Sequence, residues 1–339
     1  MSSHRRPTAA LLWRLALSAA LAGLGAGVGF GYLGRLHLAF DSLSHLRLHL
    51  AALLVLLSPV LLAARLRVEA AFAALLGIAA TVQTVGPQTA TPLDAAHEPP
   101  VYSLLQLNLR FDNPTPEAAL SLIGAVRPDV MTLSEVSELW RDKLALLEAA
   151  YPYSLICPPP SHVGGTAILS RRPFAEGFEP RCGDRGSLAH VRLDLGGRTV
   201  EVVALHMGWP WPFEQPWQLP RLAPLLGDVG DTAIVAGDLN AVPWSHAARR
   251  IAEAGGVRIL RGIGPTWLDR RLPSTLRPWI GLPIDNLMVK GGVTPTGLTT
   301  LESPGSDHAA VLLEFAVAGR EGETEVRVVS SEEGKYRPL

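Results

Sequence analysis

Three long apolar blocks in the first 86 residues constrain the fold of this chain most. The blocks lie at about residues 9–33, 48–64 and 68–85. The region contains only two acidic residues, Asp41 and Glu69, and Arg14 is the only charge in the first block. The first block is long enough to cross a bilayer, and the other two are near the lower length limit for doing so. The sequence therefore predicts a transmembrane region over residues 1–86 with three membrane helices.

A secretory signal peptide is the alternative interpretation of the first block. Arg5 and Arg6 precede its apolar core, as the basic residues of a signal peptide do. In that case the other two blocks form a hydrophobic hairpin. The block is longer than a typical signal core, and Leu33-Gly34-Arg35 is a poor cleavage site, so three membrane helices are favoured.

Basic residues predict how these helices are oriented. Arginines without acidic neighbours occur in the N-terminal tail and in the link at residues 65–67, whereas the segment after the third block has Asp94 and Glu98 and no base. Basic loops stay on the cytoplasmic side of a membrane. We therefore expect a multi-pass protein with a cytoplasmic N-terminus, and with everything after residue 87 on the outer side.

Composition divides the rest of the chain into three parts. Residues 87–100, rich in Pro, Thr and Ala, predict a linker, and residues 101–317 predict a globular domain. Residues 318–339 are charged and aperiodic and predict a flexible tail, in which residues 324–329 are a candidate edge strand. The formal net charge of −1 gives no overall basic field for nucleic acid, although a local groove could still be positive.

The globular domain alternates short apolar runs with helical patterns. Eight runs predict strands, and several are apolar throughout, as strands buried on both faces are. They lie at residues 101–107, 129–133, 166–169, 188–195, 200–205, 233–236, 284–289 and 309–315. Amphipathic patterns predict helices at residues 116–126, 137–150, 218–226 and 245–254. This alternation predicts two packed sheets flanked by helices.

Eight polar residues stand at the ends of these strands. They are Asn108, Glu135, His206, Asp238, Asn240, Asp285, Asp307 and His308. Carboxylate and amide oxygens suit a hard cation, and imidazole transfers protons at neutral pH. Taken singly, each residue is as well explained by a turn or by a buried polar side chain. Together they predict one convergent site that binds a cation and a phosphate group.

The order of these residues resembles the endonuclease/exonuclease/phosphatase superfamily, whose fold is that of deoxyribonuclease I. The resemblance covers about residues 101–317. It also includes the segments Pro128-Asp129-Val130, Gly164 to Ser170, Gly237-Asp238-Leu239-Asn240, Pro283 to Asn286 and Ser306-Asp307-His308. It implies a four-layer α/β/β/α sandwich, hydrolysis of a phosphate ester, and a bacterial inner-membrane member with a periplasmic or extracellular catalytic domain.

The resemblance also implies a divalent cofactor, Mg²⁺ or Mn²⁺. Glu135 would be its principal ligand, assisted by Asn108 and Asp307. The sequence departs from the pattern of abasic-site endonucleases at Arg110, where Asp or Asn is usual, and at Ser134, where Gln often precedes the glutamate. These departures speak against abasic-site repair. The number of metal ions is left open.

Five residues would carry the catalysis that the resemblance implies. Asp238 would orient or deprotonate the attacking water, and Asn240 would hold that water or a phosphate oxygen. Asp285 would keep His308 in one tautomer, and His206 would donate a hydrogen bond to the scissile phosphate. The sequence does not decide which histidine acts as the acid.

The substrate and partners follow less directly from the sequence. The phosphate ester could belong to nucleic acid or to a phospholipid head group, the bilayer is the expected contact of residues 1–86, and no obligate protein partner is inferred. Three Trp and one Phe within residues 209–217 could stack on bases, enter the lipid interface, line an apolar substrate pocket, or form a small separate core. Arg171, Arg172, Arg181 and Arg185 could contact phosphate or simply be solvated.

Two further alternatives stay open. Cys157 and Cys182 are the only cysteines, and they form either a disulfide, which an oxidising compartment allows, or two buried thiols. The rival to a hydrolase is a non-catalytic binding or scaffold module with the same fold. The presence of all eight polar residues favours the hydrolase.

Overall fold

A computed structural model describes residues 8–86, 102–158, 161–302 and 305–318. The predicted linker at residues 87–100 lies outside the described residues. The predicted tail lies outside them too, apart from Ala318, and so does the candidate strand at residues 324–329.

The N-terminal region consists of apolar helices that pack through small side chains. They are α1 (Ala9–Gly31), α2 (Leu38–Ser44), α3 (Arg47–Ala63) and α4 (Arg67–Val85). Helices α1 and α4 are long and apolar enough to cross a membrane, and α2 with α3 forms a third candidate span bent by 59°. A Cβ atom on Gly77 of α4 would lie 2.7 Å from the carbonyl oxygen of Ala51 in α3, so only glycine permits this close approach. Leu56, Phe72 and Leu75 point outward, as side chains in contact with lipid do.

The described part of the globular domain has two six-stranded sheets. The strands are β1 (Tyr102–Asn108), β2 (Val130–Val136), β3 (Tyr153–Ile156), β4 (Gly165–Ser170), β5 (Arg181–Gly183), β6 (Leu188–Asp194), β7 (Thr199–Leu205), β8 (Ala233–Asp238), β9 (Arg258–Ile259), β10 (Asp285–Lys290), β11 (Val293–Leu301) and β12 (Ala310–Val317). One sheet has the order β11-β12-β1-β2-β4-β3, and the other has the order β5-β6-β7-β8-β10-β9. Within these sheets β1 is parallel to β2, and β7 is parallel to β8.

Helices cover the outer face of each sheet. They are α5 (Pro116–Val126), α6 (Glu138–Ala145), α7 (Gln215–Gly227) and α8 (His246–Gly255), and the short α9 (Arg277–Ile280) lies in a loop. The central core lies between the sheets and includes Leu104, Val202 and Leu313. Ile123 of α5 lies in the core behind the first sheet, and Leu222 of α7 in that behind the second. The domain is therefore the predicted four-layer α/β/β/α sandwich.

A disulfide joins the two sheets at one end. Cys157 follows the edge strand β3 of the first sheet, and Cys182 lies in the edge strand β5 of the second. The structure thus adopts the disulfide rather than two free thiols. Disulfides of this kind persist in oxidising compartments outside the cytoplasm.

Candidate active site

Strands from both sheets deliver their polar ends to one cavity of about 420 Å³. Six of the eight predicted site residues line it, namely Glu135, His206, Asp238, Asn240, Asp307 and His308. The other two, Asn108 and Asp285, are fully buried and hydrogen bonded to members of this group. The structure therefore brings together all eight residues from distant parts of the sequence.

Glu135 reaches the cavity through an irregularity in β2. The pairing of β2 with β4 shifts register between Leu133 and Val136, and Glu135 has a left-handed backbone with φ 59°. Such bulges re-aim a side chain, and a strained non-glycine residue is typical of a functional site. The Glu135 carboxylate accepts hydrogen bonds from Nδ2 of Asn108 (3.0 Å) and from the backbone N–H of Phe111 (2.8 Å).

Asn108 connects the two sheets beneath the cavity. Its Nδ2 also donates to Oδ2 of Asp238 at 3.0 Å, so one amide group holds two carboxylates together. Its Oδ1 accepts the backbone N–H of Arg110 at 2.9 Å. In this orientation the amide nitrogen, and not the oxygen, faces the carboxylates. A ligand role for Asn108 would require the amide group to turn over, and that role stays a prediction.

His308 lies between two carboxylates. Asp238 and Asp285 are directly opposite each other on the antiparallel strands β8 and β10. Nδ1 of His308 donates to Oδ2 of Asp285 at 2.7 Å, and its Nε2 is 3.7 Å from Oδ2 of Asp238. All three side chains are buried, so their charges interact with little screening by solvent.

The pKa values of this buried trio follow from their mutual positions. Burial lowers the pKa of His308, but the charges of Asp285 and Asp238 outweigh burial and raise it to about 10. Burial raises the pKa of Asp285, and the His308 cation more than offsets this, so that the pKa is below its usual value. The pKa of Asp238 is raised to about 6, first by burial and then by the charge of Asp285. At neutral pH the trio therefore holds a protonated imidazole between two carboxylates.

His206 and Asn240 complete the cavity wall near Asp238. Nε2 of His206 lies 3.8 Å from Oδ2 of Asp238. Asn240 is left-handed, with φ 45°, and its Nδ2 donates to the carbonyl oxygen of Met207. A Cβ atom on Gly237 would lie 1.8 Å from the carbonyl oxygen of Leu205. The Gly-Asp-Leu-Asn motif therefore needs its glycine, because a larger residue would clash with the backbone of β7.

The residues present fit a hard divalent cation. Glu135, His206 and Asp238 each offer a ligand atom, and these atoms all lie within 4.8 Å of one another. The hydrogen bonds to Glu135 leave a second lone pair on each of its oxygens. Asp238, Asp285 and His308 form a second such group, but the short bond between Asp285 and His308 identifies these two as an ion pair. Asp307 lines the cavity, and its ligand role stays a prediction.

Sequence reasoning missed two residues that support this site. Nε2 of Gln106 donates to Oδ1 of Asp285 at 3.1 Å, and Oγ1 of Thr266 accepts the Asp285 backbone N–H at 3.0 Å. Both residues are fully buried. The available signal was Gln106 itself, which interrupts the apolar run from Leu104 to Leu107 in β1.

The candidate arginines and the aromatic side chains of residues 209–217 differ in where they lie. Arg185 lines the cavity, whereas Arg172 pairs with Asp129 and Arg181 with Asp228. The aromatic side chains of residues 209–217 do not form a separate core. Trp209, Trp211, Phe213 and Trp217 are 58%, 45%, 55% and 63% exposed.

Comparisons with known proteins agree with this geometry. Residues 105–308 match the Endonuclease/Exonuclease/phosphatase family. The fold is similar to an endonuclease/exonuclease/phosphatase from Beutenbergia cavernae, at 22% identity and a TM-score of 0.51, over 65% of this chain and 72% of that one. It is also similar to the endonuclease/exonuclease/phosphatase from Bacteroides vulgatus, at 16% identity and a TM-score of 0.51, over 65% of this chain and 100% of that one.

A third similar structure is a humanized D. rerio TDP2, at 19% identity and a TM-score of 0.50, over 64% of this chain and 99% of that one. Comparison with curated proteins finds no match. The family match spans more than half of the chain and includes every residue of the candidate site. The chain therefore belongs to the endonuclease/exonuclease/phosphatase family.

Proposed function

We propose that this chain is a divalent-metal-dependent phosphoesterase, of the phosphodiesterase or nuclease type, that is anchored in a membrane with its catalytic domain outside the cytoplasm. One observation carries the chemistry: the ion-paired His308 lies beside Asp238 at the cavity that Glu135 also lines. Such a site offers a cation, a base and a metal ligand to one phosphate group.

Asp238 is the base in this proposal. With a pKa of about 6 it is largely ionised at neutral pH and still basic enough to accept a proton. It takes a proton from the attacking water as the new bond from oxygen to phosphorus forms. The ester bond then breaks, and the leaving oxygen takes a proton from a second water in the open cavity. Asp238 gives its proton to the hydroxide so formed, which restores both the carboxylate and the second water. Overall one water is consumed, with its hydroxyl on phosphorus and its proton on the leaving oxygen.

His308 supplies positive charge to the phosphoryl group. Asp285 holds it protonated, so its Nε2 N–H can donate to a phosphoryl oxygen as negative charge builds up there. His206 lies on the same cavity wall and donates to a second oxygen, while Asn240 positions the water or a phosphate oxygen. Glu135 and Asp307 would hold Mg²⁺ or Mn²⁺, which offsets phosphoryl charge when bound.

Several observations support the outward orientation. Helix α2 contacts the globular domain, because the Asp41 carboxylate accepts the backbone N–H groups of His246 (2.6 Å) and Ala247 (2.8 Å). In the proposed topology α3 alone forms the second span, and α2 belongs to the link before it. This link then lies on the same side as the domain, as three spans require. The basic link at residues 65–67 then falls on the opposite, cytoplasmic side. The disulfide is also consistent with an exported domain.

Hydrolysis of bis-p-nitrophenyl phosphate by the full-length protein in detergent tests the chemistry. We expect turnover with Mg²⁺ or Mn²⁺ that is lost on chelation and reduced at least about a hundredfold in Glu135→Gln and His308→Ala. The matched control Glu138→Gln replaces an exposed carboxylate three residues further on and should retain activity. Absence of metal-dependent turnover on any phosphoester would favour the non-catalytic scaffold instead.

A further inference from the structure

A second, apolar pocket adjoins the catalytic cavity. It has a volume of about 240 Å³ and shares Trp209, Asn240 and Trp267 with that cavity. Its far wall is formed by residues that precede α3, including His45 and Leu46. The catalytic cavity and the second pocket therefore share a wall, and the second pocket reaches the start of α3.

A third pocket continues this space toward the membrane helices. It has a volume of about 520 Å³ and shares His45 and Leu282 with the second pocket. Its lining reaches Ala52, within α3, and Val85, the last residue of α4. The two pockets lie in series from Trp209 to Val85, between the catalytic cavity and the ends of α3 and α4, and are here called the apolar track.

Resting on the phosphoesterase function above, we propose that this apolar track holds an acyl chain of a membrane lipid whose phosphate ester lies in the catalytic cavity. In the proposed topology the track ends at the outer ends of α3 and α4, so a lipid can enter it from the bilayer without crossing water. The buried trio and Glu135 meet the head group at the other end. The substrate class assigned in this way is a lipid phosphoester.

The chemistry of the lining favours a lipid over nucleic acid. A single strand needs basic side chains along its backbone in addition to aromatic rings. Of the described residues, no Lys or Arg lines the second pocket, and Arg261 is the one cation of the third. Trp279, which is 81% exposed beside the third pocket, suits the interface between lipid and water.

A pair of leucine variants tests the track. Leu46→Trp places a larger ring in the second pocket, and Leu36→Trp makes the same change at an exposed position outside both pockets. Each full-length variant is compared with wild type on two substrates. One is a vesicle containing phosphatidylethanolamine, phosphatidylglycerol and sphingomyelin, and the other is bis-p-nitrophenyl phosphate.

We expect metal-dependent release of phosphorylated head groups or phosphate from the vesicles by the wild type. Leu46→Trp should lower the ratio of lipid to soluble-substrate kcat/KM by at least about tenfold, whereas Leu36→Trp should leave this ratio at the wild-type value. Three results would overturn the acyl-chain proposal. They are hydrolysis of the soluble diester without hydrolysis of lipid, faster hydrolysis of single-stranded DNA than of lipid, and equal ratios in the two variants. Each of these results would leave the phosphoesterase standing. Failure on every substrate would overturn both.

A binding measurement keeps the test independent of turnover and of the folding of Leu46→Trp. Full-length Glu135→Gln is irradiated in vesicles that contain a phospholipid with a diazirine near the end of its acyl chain. Adducts on peptides that contain Phe213 or Leu282 support the track, because both residues belong to the globular domain. Adducts confined to α1 and to the outward-facing residues Leu56, Phe72 and Leu75 would contradict it.

Discussion

The charge of His308 depends most on one neighbouring residue, Asp285, and next on Asp238. The imidazole is buried, and burial alone would favour its neutral form. Asp285 and Asp238 together reverse this preference, and Asp285 contributes most. Gln106 and Thr266 hold Asp285 in place with hydrogen bonds. The proposed role of His308 therefore rests on a hydrogen-bond network that never touches substrate.

Replacing Asp285 by Asn tests this dependence. In the wild type we expect kcat/KM to rise with pH as Asp238 ionises near pH 6, and to fall as His308 loses its proton near pH 10. Removing the negative charge of Asp285 lowers the pKa of His308, so the high-pH limb of the pH–rate profile should move to lower pH, and the maximum should fall at least about a hundredfold.

The control is Asp231→Asn, which removes an exposed carboxylate. Its profile should match that of the wild type. An unchanged high-pH limb in Asp285→Asn would show that His308 does not owe its charge to Asp285.

Metal binding can be tested at Glu135 without measuring turnover. We expect Mg²⁺ at about a hundred times its Kd to stabilise the wild type by about 2.7 kcal/mol, which raises the Tm by several degrees. Glu135→Gln should lose this rise because a neutral amide is a weaker ligand than a carboxylate. Differential scanning calorimetry with and without Mg²⁺ measures it, and Glu138→Gln should behave like the wild type. An equal rise in Glu135→Gln would place the ion elsewhere.

The eight site residues could be predicted as a set, because each has a polar side chain at a strand end and their order resembles that of a known family. Their supporting network could not be predicted in the same way. Gln106 contacts a residue 179 positions away, a separation that no local pattern encodes. The orientation of the Asn108 amide is likewise fixed by contacts from the other sheet.

At the scale of elements, Asp41 of the N-terminal helix α2 caps the first turn of helix α8. Its own cap Ser245 accepts the N–H of Ala248 at 3.0 Å, and the Asp41 carboxylate accepts two further N–H groups of the first turn. A carboxylate at a helix N-terminus is also favoured by the helix dipole. Helix α2 is thereby fixed against the globular domain.

Asp41→Ala should weaken this docking. We expect a loss of about 1–2 kcal/mol, as for other caps, and a Tm lower by several degrees. Thermal unfolding of the full-length protein in detergent measures the change. Asp41→Asn keeps an acceptor oxygen and should lie between the wild type and Asp41→Ala. Identical melting of all three proteins would contradict the cap.

The apolar pattern predicted the long buried strands, but it did not predict the short or interrupted elements. All eight predicted strands exist, within a few residues of the predicted ends, whereas β3, β5, β9 and β11 were missed. Strand β5 has three residues and β9 has two, too few to show a period. Strand β11 contains Pro295 and a register shift at Gly297, which is typical of an edge strand. Helix α2, with seven residues, was missed for the same reason as the short strands.

At the scale of the whole molecule, the contacts of α2 have a bearing on topology. Besides the cap from Asp41, Nε1 of Trp244 donates to the carbonyl oxygen of Ser44 at 2.9 Å, and Nε2 of His45 lies 3.2 Å from the carbonyl oxygen of Asn240. These contacts hold α2 against the globular domain. The proposed three spans, α1, α3 and α4, keep α2 and the domain on one side, whereas two spans, α1 and α4, would separate them.

Reporter fusions test the orientation. Alkaline phosphatase is active only outside the cytoplasm, so a fusion after Leu339 should be active and one after Arg65, between α3 and α4, should be inactive. A cytoplasmic reporter such as β-galactosidase should give the opposite pattern at the same two positions. Cytoplasmic activity at Leu339 would reverse the proposed sidedness.

The contact of His45 with Asn240 affects how the protein should be prepared for study. A fragment that starts after α4 would lack α2 and the His45 ring that contacts the Asn240 carbonyl oxygen. The first turn of α8 would also lose the two carboxylate oxygens of Asp41 as hydrogen-bond acceptors. In the proposed enzyme, Asn240 is a wall residue of the catalytic cavity, and its backbone is held from behind by His45. Kinetic constants measured on the fragment would therefore differ from those of the full-length protein, and solubility would be gained at the expense of a support for the cavity wall.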